Sequence, residues 1–298
     1  MKTLVVGASG YLGYAAASAL ARAGHDVHGL VRRPEAASLL RKAEIQPVIG
    51  TLQEPASFTE VAAQCSVIIY AAADYQADTL AVDRAALEAI LGVAARGPQP
   101  KTVIYTSGVW VHGDTGNDMV DETAPLVPPR AVQARPAIER LVLEHPQVHG
   151  LVIRPGDVYG GRGGLTGMWF EGAEKGELRV IGDGRNRWAL VHVEDLADAY
   201  VRLAESRLNR EVFNITDRSR ATVNEMAEAV VHATGGKAKI TRVPLAEATK
   251  QMGAFAECLT LNQHVDSRKA VRLLGWQPKH GGFADSVQTY YQAWKAWR

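Results

Sequence analysis

The chain has 298 residues with 33 Lys and Arg against 32 Asp and Glu, a net charge of +1, and so lacks the cationic surplus that sequence-independent nucleic-acid binding demands. Its 47% hydrophobic and 22% charged residues are those of an ordinary soluble globular protein, and no apolar run approaches the ~18–20 residues of a membrane span. Cys65 and Cys258, the two cysteines, offer neither a disulfide framework nor a CxxC metal pair, which suits a reducing, cytoplasmic setting.

In chain order, the N-terminal MKTLVVGASGYLG has a Lys followed by apolar residues, but its glycines and Tyr11 interrupt any signal-peptide core. Short β-branched and apolar runs at 3–6, 27–31, 47–49, 67–70 and 102–106 read as buried parallel strands. Alanine- and leucine-rich stretches at 11–23, 35–43, 55–63 and 79–95 have helical spacing between them. A helix at 134–144 and a strand at 151–153 extend the sheet to six strands. This alternation implies βαβ units and a Rossmann-type, doubly wound α/β fold. After Arg154-Pro155-Gly156 glycine becomes dense, and helices return at 194–205, 222–234, 267–274 and 283–297. The expected division is a dinucleotide-binding domain over 1–155 and a smaller mixed α/β substrate lobe over 156–298, with the chain crossing back more than once. No repeat, charge block or low-complexity tract is visible.

The glycines of Gly7-Ala8-Ser9-Gly10-Tyr11-Leu12-Gly13 are spaced GxxGxxG between the first strand and the first helix. The first permits a tight turn, the second lets the backbone approach a pyrophosphate, and the third lets the helix pack close to the sheet. Phosphates then meet the N–H groups of the helix N-terminus. At the end of the second strand, NAD would want an acid for its ribose hydroxyl and NADP a cation for its 2′-phosphate. Here Arg32 and Arg33 precede the first acid, Glu35; they suit bidentate phosphate contacts or are solvated surface residues. NADP(H) is therefore expected over NAD(H).

Together these segments resemble the extended short-chain dehydrogenase/reductases, the NAD-dependent epimerase/dehydratase group. Gly50-Thr51-Leu52 is similar to the Gly-Asp-Leu that borders the adenine, and Ala71-Ala72-Ala73 to the pair lining the cofactor after the fourth strand. Arg154-Pro155-Gly156-Asp157-Val158-Tyr159-Gly160 resembles the Arg-Pro-x-x-Val-Tyr-Gly turn, and the stretch from Arg187 to Leu196 the entry to the substrate lobe. The resemblance implies that Gly7, Ser9, Gly10, Tyr11, Leu12, Gly13, Arg32, Arg33, Leu52, Ala71, Ala72, Arg135 and Pro155 hold the cofactor. It also implies a homodimer built on the helices at 79–95 and 134–144; the residues themselves do not give the oligomeric state.

Family catalysis uses a tyrosine, a lysine four residues later that lowers its pKa, and a substrate-orienting serine or threonine. Aligning Glu139 with the acid that usually follows the lysine puts Ala131 at the tyrosine position and Arg135 at the lysine position. Arg135 keeps a cation but cannot transfer protons. Tyr291 and Lys295 have the right spacing on the last helix, in the wrong context.

Thr106-Ser107-Gly108-Val109-Trp110-Val111-His112-Gly113 resembles the family's Ser-Ser-x-x-Val-Tyr-Gly, with the usual hydroxyl falling on Gly108. Ser107 or Thr106 either presents a hydroxyl to substrate or caps the strand. Replacements for the missing tyrosine are Tyr75 with its neighbour Asp74, His112, whose ring titrates near neutrality, and Asp157 or Tyr159. Each has a bland alternative: a turn residue for Asp74, a hydrogen-bonded stand-in for His112, a packed ring for Tyr159. Trp169 lines a substrate pocket or belongs to the core. In nucleotide-sugar members an arginine at the place of Arg187 contacts the diphosphate, while Trp188 suggests an apolar wall. The nine histidines show no HxxxH or HExxH spacing, so no metal site is expected.

The reading is an atypical NADP(H)-dependent oxidoreductase acting on a small carbonyl, alkene or sugar-like substrate. Two alternatives stand beside it: a catalytically silent NADP(H) sensor or scaffold, and a nucleotide-sugar epimerase/dehydratase.

Overall fold

Apolar runs too short for helices become strands, and the amphipathic stretches between them cover the sheet they form. In the computed structural model, residues 1–72, 79–97 and 99–298 are described. The chain begins β1 (Lys2–Val6), α1 (Tyr11–Arg22), β2 (Asp26–Val31), α2 (Pro34–Arg41), β3 (Gln46–Ile49), α3 (Ala56–Gln64), β4 (Val67–Tyr70), α4 (Thr79–Ala94) and β5 (Thr102–Thr106). There follow β6 (Met119–Val120), α5 (Arg135–Leu143), β7 (His149–Pro155), β8 (Asp157–Tyr159), α6 (Leu165–Glu174), β9 (Glu177–Ile181), β10 (Leu190–His192) and α7 (Val193–Glu205). The remainder is β11 (Glu211–Ile215), α8 (Val223–Ala233), β12 (Lys239–Val243), α9 (Leu245–Met252), α10 (Phe255–Cys258), β13 (His264–Val265), α11 (Arg268–Leu274) and α12 (Val287–Ala296).

The central sheet has seven strands in the order β11-β7-β5-β4-β1-β2-β3, a doubly wound topology. Every pairing from β3 through β7 is parallel, with Val6 opposite Leu30 and Tyr70, and Thr106 opposite Ile153. The seventh strand, β11, is one beyond the six that the sequence pattern predicts. Its EVFNI run is short and follows Arg210, which takes a left-handed φ of 57°, so its membership is set by pairing across the sheet rather than by local pattern.

The chain forms two compact units: Met1–Ser107 with Ala134–Ile153 and Leu196–Phe213, and Gly108–Gln133 with Arg154–Asp195 and Asn214–Arg298. In the first, Leu4, Ile68, Tyr70 and Val103 from the strands pack against Phe58, Leu87, Ile90 and Ile138 from the helices. Burial of all four residues of β4 is what a parallel strand covered on both faces requires. The second unit has its own core, in which Trp169 stacks on Trp188 at 4.9 Å and Tyr159 meets Phe283 and Tyr290 edge-on. The helical pattern over 283–297 is a helix only from Val287, because Asp285 closes a turn onto Gly282. Among the described residues, no helix is long and apolar enough to cross a membrane.

Candidate cofactor and catalytic site

Gly7 has φ +87°, and a Cβ there would lie 2.8 Å from the Ala72 amide nitrogen. A Cβ at Gly13 would lie 2.2 Å from the Gly7 carbonyl oxygen. Both positions need glycine: the turn after β1 is pressed against Ala71-Ala72 at the end of β4, and α1 starts tight against the turn. Gly10 donates its amide to the Gly7 oxygen at 2.9 Å and stands at the N-cap of α1. That helix has no side-chain cap and no acid in its first turn. The positive end of its dipole is thus matched to an anion, and the glycine-rich turn to a closely approaching pyrophosphate. Ser9, Tyr11 and Leu12 are half-buried around it. The residues fit a dinucleotide.

Arg32 and Arg33 follow β2 directly and precede Pro34, the first residue of α2. Both are exposed, and neither makes an ion pair or side-chain hydrogen bond among the described residues. Leu52 and Ala72 pack half-buried against the apolar cluster of this unit. Asp74 and Tyr75 lie outside the described residues.

At the end of β5 two neighbouring hydroxyls have different fates. Thr106 Oγ1 shares a 2.7 Å hydrogen bond with the hydroxyl of Tyr200 on α7. Burial pushes that phenol's pKa up, against the smaller opposing effects of Thr106 and the Arg135 charge. Ser107 donates its amide to the Ile153 oxygen at 2.8 Å and accepts the Arg135 guanidinium on its carbonyl at 2.5 Å. Its Oγ is buried without a partner among the described residues. Arg135 therefore holds the backbone that carries a hydroxyl with spare hydrogen-bonding capacity. Ala131 lies in a separate 3₁₀ turn, Arg130–Val132, and packs on an apolar cluster, so it and Arg135 are not neighbours on one helix face.

In the second unit, Asp157 opens β8, donates its amide to the Ala189 oxygen at 2.7 Å and pairs with Leu190. Its side chain is 8% exposed. The Trp110 indole hydrogen-bonds to the carboxyl, while Oδ2 has no partner among the described residues. Desolvation dominates, and the pKa is pushed up to about 7, against the weaker opposing pull of the indole. Such a carboxyl titrates near neutrality instead of well below it, and perturbed carboxyls of this kind cluster at functional sites.

Other expected site residues are bound into the fold. Tyr159 is fully buried, and the single proton of its hydroxyl is shared between Asp217 Oδ2 at 2.9 Å and the Gly281 oxygen at 2.8 Å. Burial and Asp217 both push its pKa up, so it is a packed ring rather than an accessible acid. His112 is buried with Nε2 3.2 Å from Asn214 Oδ1, the stand-in role. Trp169 belongs to the core and donates its indole to the Arg179 oxygen. Arg187 Nε donates to the Arg220 oxygen at 2.9 Å. Gly108 is extended, with φ 172°, and makes no demand that only glycine meets. Pro155 is buried at the end of β7. Sequence reasoning missed Trp110 and Tyr200, whose partners stand 47 and 94 residues away. Among the described residues, no group of three or more His, Cys, Asp or Glu could hold a metal ion.

The chain matches the model of the NAD dependent epimerase/dehydratase family over residues 3–216. It is 30% identical over 262 residues to a 4-hydroxy-2-methyl-3-oxo-4-farnesyl-3,4-dihydroquinoline-1-oxide ketoreductase of Stigmatella aurantiaca, covering 83% of this chain and 78% of that one. To a 3-diazoavenalumate denitrifying reductase of a Streptomyces species it is 27% identical over 311 residues, covering 96% and 99%. The crystal structure of dTDP-glucose 4,6-dehydratase from Bacillus anthracis in complex with NAD matches with a TM-score of 0.79 at 20% identity, over 99% of this chain and 97% of that one.

Proposed function

The chain belongs to the NAD dependent epimerase/dehydratase family, enzymes of nicotinamide-cofactor chemistry, and from that premise we propose that it is an NADP(H)-dependent reductase of a small carbonyl compound. The observation that carries the reading is Asp157: a buried carboxyl, held by the Trp110 indole and titrating near neutrality, in a chain that lacks the usual tyrosine and lysine. The ketoreductase and the denitrifying reductase among its relatives support reduction as the reaction type.

Bound, the nicotinamide supplies the hydride. The Gly7–Gly13 turn and the start of α1 hold the pyrophosphate, Leu52, Ala71, Ala72 and Pro155 form apolar walls, and Arg32 and Arg33 take the 2′-phosphate. Ser107 Oγ donates a hydrogen bond to the substrate carbonyl oxygen and stabilises the negative charge that grows there. Arg135 stays charged and keeps Ser107 in place through the Ser107 carbonyl. Asp157 supplies the proton that the reduction consumes and regains one from water. Asp74, Gly108 and Arg187 remain the residues expected to shape substrate choice, and a small-molecule substrate is the expected partner.

Absorbance titration with NADPH and NADH, then turnover over a panel of ketones by the wild type and Asp157→Asn, tests the proposal. It predicts tighter NADPH binding, measurable ketone reduction and a loss of at least about a hundredfold in kcat for the variant. No binding of either dinucleotide, or a variant as active as the wild type, overturns it. The separation of Ala131 from Arg135 favours a second reading, a silent NADP(H) sensor. Tight cofactor binding with no turnover across ketones, activated alkenes and nucleotide sugars would establish that one instead.

A further inference from the structure

An indole has one N–H donor and no acceptor, so a buried tryptophan shows where that single donor is used. Trp169, Trp188 and Trp276 donate theirs to the backbone oxygens of Arg179, Leu259 and Asp195, groups that do not titrate. Trp110 instead donates to the carboxyl of Asp157. Its ring is fixed from two sides. It stands in the 3₁₀ turn Val109–His112, which one side chain brackets: Gln263 Nε2 donates to the Val109 oxygen at 3.0 Å and to the Gly113 oxygen at 2.9 Å. The indole then meets Phe255 edge-on, with ring centroids 5.6 Å apart, and packs in an apolar cluster with Val132, Ala189 and Val265. Ala189 is also the residue whose carbonyl takes the Asp157 amide at 2.7 Å, so donor and carboxyl share one anchor.

In a neutral carboxyl one oxygen carries the proton and the other only accepts. The indole occupies one oxygen of Asp157, and Oδ2 has no partner among the described residues. We propose that Trp110 is the positioning residue for Asp157: its N–H fixes which carboxyl oxygen carries the proton, and Gln263 keeps the turn that presents the indole closed. Among the described residues, burial and the indole are the influences on this carboxyl, and no charged side chain shifts it. The indole favours the carboxylate over the acid, so it also limits how far burial raises the proton affinity. The role in turnover rests on the hydride reading, whereas the coupling of indole to carboxyl does not.

A pH titration of the indole N–H signals of the full-length protein by nitrogen-15 NMR tests the coupling without substrate. Of the six indoles, one should move with a midpoint at about pH 7 in the wild type and stand still in Asp157→Asn. No signal whose titration Asp157→Asn abolishes would overturn the proposal, even where a Trp110 variant fails to fold. Trp110→Phe keeps a ring against Phe255 and loses the donor. Its kcat on a ketone should fall about tenfold while the alkaline limb of the pH profile moves up by about one pH unit, a tenfold rise in proton affinity. KM and NADPH affinity should hold within about twofold, since neither depends on where the proton sits. A fall in kcat with the limb in its wild-type place would mark a merely structural ring and overturn the positioning role. An intact indole titration in a wild type that reduces no ketone would support the coupling and refute the hydride reading alone.

Discussion

Replacing Asp157 by Asn removes one ionisation and almost nothing else. The folded carboxyl has its pKa at about 7 against an ordinary value of 3.8, so between those limits the folded chain keeps a proton that the unfolded chain has lost. Stability contributed by this group is complete below pH 4 and falls as pH rises through 7. At 1.36 kcal/mol per pH unit, the ~3-unit gap corresponds to an upper bound of about 4 kcal/mol, reached above neutrality. Asn can still accept the Trp110 indole, and its amide leaves a buried donor just as the protonated acid does. The variant should therefore match the wild type near pH 4 and be the more stable protein near pH 8. At ~2 °C per kcal/mol for a chain of this size, the wild type should melt up to ~8 °C below the variant at pH 8. Thermal denaturation of both proteins at the two pH values measures this, and other titrating groups cancel in the difference. An Asn variant that is less stable at pH 8, or displaced equally at both pH values, would refute a neutral buried acid at 157. The same variant should lose about 10²–10⁴ in kcat, and wild-type kcat should decline above pH 7 as the proton donor ionises.

Arg32→Gln with Arg33→Gln should weaken NADPH by about tenfold to a hundredfold and leave NADH unchanged, read by fluorescence titration; equal losses for both dinucleotides would remove the 2′-phosphate role. Ser107→Ala should lower kcat about 10²-fold while cofactor affinity holds, since only the growing charge on the substrate oxygen loses a donor. Gly13→Val should abolish cofactor binding, because its Cβ would stand 2.2 Å from the Gly7 oxygen and neither partner is a movable side chain; a variant binding NADPH normally would contradict the tight turn.

What was legible in the sequence was local. The GxxGxxG turn is set by backbone geometry within seven residues, and it stands between β1 and α1 as its spacing required. The strand–helix alternation is also local, and α5 begins at Arg135 with Pro136 in its first turn, where a missing N–H costs nothing. Residue roles that depend on distant partners were not legible. Tyr159 and Trp169 could be site or core on type alone, and only their contacts with Gly281 and Trp188 decide it. The acidity of Asp157 depends on its burial and on an indole 47 residues earlier. Thr106 and Ser107 are equivalent as letters, but Tyr200 occupies one hydroxyl and leaves the other unpartnered.

The central claim, reduction of a carbonyl with a proton from a residue outside the usual pair, is met most directly by isotope transfer. NADPH carrying deuterium at both C4 positions is incubated with the ketone panel and the wild-type protein, and the alcohol is analysed by mass spectrometry. The account predicts one deuterium on the carbinol carbon, formed by the wild type and suppressed about a hundredfold or more in Asp157→Asn. Bound cofactor that never delivers deuterium, or delivery at the same rate by the Asn variant, would contradict it.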